Sequence, residues 1–117
     1  MHRYNDLKFW QLSRVFCKEI YLATNAFPEE EKFGLVSQLR RASVSVPSNI
    51  AEGASRKSNK DFSRFLMISL GSCYEIETQL LISFDLSFIP KEKLEELINS
   101  LNQIIKMMSK FNSTLKI

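Results

Sequence analysis

A chain of 117 residues is the length of one domain and can bury a core without disulfides or a bound metal. With 44% hydrophobic and 25% charged residues, three glycines, three prolines and no alternating β-branched run, it predicts an all-α protein and argues against a β-sheet fold. A net charge of +3 and a pI near 9.0 are compatible with nucleic acid but too mild to argue for it alone.

The N-terminal stretch MHRYNDLKFW lacks an apolar signal core, and the uncharged run Phe65–Tyr74 is about half of the ~20 residues a membrane span needs. The expected location is cytoplasmic, with no membrane partner. Asn5 or Asp6 can cap a first helix whose inner face runs Phe9, Leu12, Phe16, Ile20 and Ala23 and which ends near Asn25. Pro28 followed by Glu29, Glu30 and Glu31 has the form of a helix start, with carboxylates against the positive end of the helix dipole. Gly34 then interrupts the chain before the central helix.

In that second helix Leu35, Leu39, Ala42, Val46, Ile50 and Gly53 recur at steps of three and four and form one apolar stripe. Gln38, Arg41, Ser45, Asn49 and Glu52 form a polar stripe about a quarter-turn away. Both stripes stay in phase across Pro47, so the spacing predicts one helix kinked at Pro47 that continues to about Gly53. Ser43, Ser45 and Ser48 are candidates to satisfy the turn the proline opens.

A short basic linker, Ala54 to Lys57, leads to Ser58, which with Asp61 resembles a capping box and places the third helix from Asn59. Its seam of Phe62, Leu66, Ser69, Cys73, Ile76, Leu80 and Ser83 alternates four and three. Off the seam, Phe65, Met67, Ile68, Leu70, Tyr74, Leu81, Ile82 and Phe84 spread apolar surface around most of the circumference. One small bundle cannot cover a helix apolar all round, so the chain is expected to form a homo-oligomer. Pro90 opens a fourth helix with Leu94, Leu97, Leu101, Ile104, Met108, Phe111 and Leu115 inward, Met107 and Met108 reading as core. Short connections then predict an antiparallel up-down-up-down four-helix bundle, with residues 1–117 as a single domain.

Little in the sequence offers chemistry. His2 is the sole histidine and lies at the terminus, Glu75 and Glu77 are too close to share a helix face, and no Glu-x-x-His pair or glycine-rich phosphate loop occurs. Cys17 and Cys73 lack metal-site or redox spacing and read as reduced core thiols. The expectation is a non-enzyme without catalytic residues, metal or cofactor. Two polar groupings remain. Gln38, Ser45, Asn49 and Glu52 with Glu75 and Gln79, and Arg41 beside them, are expected to form a network fixing helix register, the alternative being a binding cleft. Arg40, Arg41, Arg56, Lys57, Lys60 and Arg64 are expected to flank the turn between the second and third helices. They are either a solvated helix end or, repeated around an oligomer, a ring of phosphate-binding charge.

The segments Phe27-Pro28, Phe33-Gly34-Leu35, Ser37 to Ala42, the SVPSNIAEG stretch at 45–53, Phe65-Leu66, Gly71-Ser72 and Glu75 to Leu80 carry a resemblance over nearly the whole chain. The chain resembles the bacterial four-helix bundle proteins encoded within intervening sequences of 23S rRNA genes. It is similar too to the accessory variability proteins of diversity-generating retroelements. Cys73-Tyr74 departs from the small or aliphatic pair usual there. The resemblance implies a ring-like homopentamer and, for the retroelement relatives, binding to nucleic acid and to a reverse transcriptase. Two functions from different classes follow as expectations: an oligomer binding RNA or DNA weakly and with little sequence preference, or a protein-binding scaffold, for example an accessory subunit of a reverse transcriptase.

Overall fold

A computed structural model describes residues 2–117. Four helices carry the fold: α1 (Lys8–Thr24), α2 (Leu35–Ala54), α3 (Asn59–Asp85) and α4 (Lys91–Thr114), with short 3-10 turns at Tyr4–Asp6 and Glu29–Glu31. Each helix packs on the next and α1 closes against α4, while the diagonal pairs α1/α3 and α2/α4 do not meet. Cross-helix contacts fix the directions. Arg40 meets Thr24 and Ser43 meets Cys17; Gln38 meets Gln79 and Ser45 meets Ser72; Asn59 meets Lys116; and Phe9 meets Phe111. Every neighbour is therefore antiparallel, in an up-down-up-down bundle of 44 × 24 × 19 Å. No helix is long and apolar enough to cross a membrane.

The apolar periodicity chooses the core. All seven seam residues of α3 are buried, as are Leu39, Ala42, Val46, Ile50 and Gly53 of α2 and Leu94, Leu97, Leu101, Ile104 and Met108 of α4. On α1 the inner line is Phe9, Ser13, Phe16, Ile20 and Thr24, with Leu12 and Ala23 only partly covered. Cys73 lies in the core, but Cys17 is half-buried. Gly53 marks the closest approach of α2 to α3, where a Cβ would stand 2.7 Å from Cβ of Phe65 and 3.0 Å from the Phe62 ring.

Helix ends show where local signals were outvoted. Neither Asn5 nor Asp6 caps α1: they fold into the 3-10 turn, and Leu7 holds the cap position without a side-chain bond. Pro28 starts only the 3-10 turn, and Gly34, whose φ of −108° and ψ of −115° fall outside the helical and extended regions, delays α2 to Leu35. Ser58 Oγ accepts from the Asp61 backbone N–H at 3.1 Å, giving one half of the capping box, while the Asp61 carboxylate turns to Arg64. Helix α3 closes on Ser87 in the left-handed region (φ 66°), with Phe88 N–H donating to the Ser83 carbonyl and the Phe88 ring packed on Phe27.

Pro47 lies inside α2, and the helix runs unbroken from Leu35 to Ala54. The serines expected to repair the turn are engaged elsewhere. Ser43 Oγ donates to the Arg40 carbonyl, Ser45 Oγ meets Ser72 Oγ, and Ser48 makes no side-chain bond among the described residues. Two side-chain bonds flank the proline, Ser69 of α3 donating its buried hydroxyl to the Val46 carbonyl and Asn49 Nδ2 donating to the Ser45 carbonyl, both at 2.9 Å, whereas the carbonyl that loses its amide donor is that of Ser43.

Candidate nucleic-acid interface

Antiparallel folding sorts the charges into two poles. The half of the bundle holding the α2–α3 turn, the start of α1 and the end of α4 (residues 2–16, 45–72 and 103–117) carries ten Lys and Arg against three Asp and Glu. In the other half (17–44 and 73–102) six Lys and Arg face ten Asp and Glu. No contiguous segment of the sequence reveals this.

At the basic pole Arg56, Lys57, Lys60 and Arg64 are all exposed around the α2–α3 turn. The Arg56 and Arg64 guanidiniums lie 4.8 and 4.9 Å from the centre of the Phe65 ring, which they cover together, so Phe65 is buried rather than exposed. Arg56 also pairs with Glu52 at 3.2 Å and Arg64 with Asp61 at 3.7 Å, whereas Lys57 and Lys60 have no ion partner among the described residues. The end of α4 adds Lys110, and the segment after it adds Lys116, held close by Asn59 Nδ2 donating to its carbonyl at 3.0 Å. His2 lies against the rings of Phe62 and Phe111 on the same end, tilted by 52° to the first and edge-on to the second at 78°, with centroids 5.3 Å away in both cases.

Arg40 and Arg41 belong elsewhere. They stand 16 and 15 residues before Arg56 on a helix rising 1.5 Å per residue, hence roughly 22–24 Å from the turn they were expected to flank. Arg40 closes the C-terminal end of α1: Nε donates to Thr24 Oγ1 at 2.9 Å, Nη2 donates to Asn25 Oδ1 at 3.0 Å and to the Tyr21 carbonyl, and the guanidinium lies 4.7 Å from the Tyr21 ring centre. A cation there complements the negative end of the helix. Arg41 is exposed, with no ion pair among the described residues.

The polar stripe of α2 does not form one network. Gln79, only 6% exposed, donates from Nε2 to Gln38 Oε1 at 3.1 Å and to Glu75 Oε2 at 3.2 Å, while its own Oε1 is buried without a partner among the described residues. Two turns away Ser45 Oγ meets Ser72 Oγ and accepts from Asn49 Nδ2, both at 2.9 Å. Glu52 joins neither group: its side chain is 52% exposed and takes only Arg56. An exposed pair of this kind contributes ~0–1 kcal/mol, not the cost of a buried charge. The sequence does not single out Ser69 as a partner because a serine on an apolar seam reads as a spacer, nor Ser72, which lies one residue off that seam.

A family model described as 23S rRNA-intervening sequence protein matches residues 5–110. Among solved structures, one from Bacteroides thetaiotaomicron VPI-5482, described as a protein with unknown function from the S23 ribosomal protein family, superposes with a TM-score of 0.82. It is 25% identical over 91% of this chain and 96% of its own. No curated protein matches.

Proposed function

We propose, from the premise that the chain belongs to the 23S rRNA-intervening sequence protein family, that it works in the cytoplasm as a non-enzymatic homo-oligomer, a pentamer by resemblance, whose basic pole binds RNA or DNA weakly and with little sequence preference. The observation that carries this is the segregation of charge, ten basic against three acidic side chains at one end of the bundle. Phosphates neutralised by such a pole release counterions, which favours binding without reference to base identity. At this end Phe62, Phe65 and Phe111 are buried or half-buried in contacts within the chain, and the exposed Tyr4 meets the half-buried Trp10 edge-on, so base stacking is secondary to charge. An oligomer multiplies the pole by its copy number.

The test is a salt series with RNA and DNA on the native protein and on a variant with Arg56, Lys57, Lys60 and Arg64 replaced by serine. Native affinity is expected to fall steeply between about 50 and 200 mM salt, and the variant to lose both affinity and salt slope. Equal binding by the two, or none by the native protein at low salt, favours the second reading. That reading is a protein-binding scaffold, for example an accessory subunit of a reverse transcriptase, and its support is that Arg56 and Arg64 already have carboxylate and aromatic partners.

A further inference from the structure

We propose that copies of this chain associate through two unlike faces, the outer face of α1 on one copy seated against the outer face of α3 on the next; this rests on the oligomer of the proposed function and assigns its contact. Helix α1 packs only on α2 and α4, so its outer face and that of α3 lie at opposite corners of the bundle. Both are apolar where a solitary bundle would be polar. On α3, Met67, Ile68, Tyr74, Leu81 and Ile82 are each 43–55% exposed, and on α1 Val15 and Leu22 are 57% and 59% exposed. Their charges are complementary. Arg14 and Lys18 flank Val15 on α1, Glu75, Glu77 and Asp85 accompany the α3 stripe, and none has an ion partner among the described residues.

The two faces also match in height. Cys17 is level with Ser43, and Ser45, two residues on, is level with Ser72, so Val15 stands at about the height of Ser72 and Lys18 at about that of Glu75. A second copy standing alongside, axes parallel and without axial shift, brings Lys18 to Glu75 and Val15 to the neighbourhood of Gly71.

Gly71 is the independent observation. It lies in mid-helix on the exposed side of α3, and a Cβ there would meet nothing within 4 Å. Glycine in that position destabilises a helix relative to alanine, and no close approach within its own chain explains it. A neighbouring helix lying across it does. Beside it the groove lined by Met67, Tyr74, Ser109 and Asn112 holds the buried Asn112 Oδ1, which lacks a donor among the described residues. Gln11 and Arg14 of an adjoining α1 supply donors near that height. Two unlike faces cannot satisfy each other in a pair, since each added copy leaves one face free, and a ring closes only where successive copies also turn about the shared axis direction. The parallel arrangement gathers the basic poles on one side.

Light scattering at micromolar concentration on the native protein, Lys18→Glu, Glu75→Lys, the two combined, and Gly71→Leu tests this, with circular dichroism melts confirming the fold of each. The expected result is a native mass several times 13.6 kDa. Either charge reversal alone and Gly71→Leu should lower the mass toward one copy, and the combined reversal should restore it. A native oligomer whose mass no variant changes, or a combined reversal no better than the single ones, overturns the assignment of faces and leaves the oligomer standing. A native monomer overturns both.

Discussion

At Cys73 burial decides the chemistry of one atom. The side chain has no exposure, and removal from water pushes its thiol up to about 12 from the ordinary 9.0. The thiolate is the reactive form, so Cys73 is inert in the folded protein. The same displacement links stability to pH. Between pH 9 and about 12 the unfolded chain loses this proton while the folded chain keeps it, so this contribution is intact below 9 and declines as pH rises toward 12. Urea midpoints across pH 8 to 11 should therefore fall for the native protein and fall less for Cys73→Ala. A native curve parallel to that of the variant would refute the linkage.

Among elements, the join of α2 to α3 falls where the sequence puts it, with α3 starting at Asn59, while the contacts between the two helices are legible only in part. Regular spacing made the α3 seam legible to the last residue, because each of its seven positions is buried, and the same regularity carried α2 through Pro47. The bond that ties α3 to α2 beside the proline was not legible, since Ser69 sits in that seam as a small residue and only the packed helices show its hydroxyl reaching the Val46 carbonyl. Ser69→Ala deletes that bond at a fully buried site and should lower stability by about 1 kcal/mol in denaturant melts. Ser48→Ala, on the exposed side of the same turn, should leave it unchanged. The start of α1 was misread because Asn5 and Asp6 are good caps locally, yet their turn instead leads to Leu7, which packs on the core.

Across the whole molecule, the sequence showed which residues were basic but not how folding would group them. Arg40 and Arg41 look close to Arg56 along the sequence, yet about four turns of helix separate them. Lys110 and Lys116, more than fifty residues from Lys57 along the chain, join it at one pole because α4 returns antiparallel to α3. The split of the polar stripe has a related origin. Phase around a helix predicts which side chains share a side, but only contact with α3 decides that Gln38 goes to Gln79, Ser45 to Ser72 and Glu52 to solvent.

Charge separated along a 44 Å axis makes this protein a compass needle as well as a weak cation. At 0.1 M salt a charge is felt over about 10 Å, so an approaching surface senses one pole at a time and not the net +3. At low ionic strength near pH 7 the protein should be retained by both a sulfonate resin and a quaternary ammonium resin, where a uniformly charged protein of the same net charge would pass through the second. Replacing Arg56, Lys57, Lys60 and Arg64 by serine should weaken retention on the sulfonate resin alone. Flow-through of the native protein on the quaternary ammonium column would show that the acidic pole is not felt as a separate body.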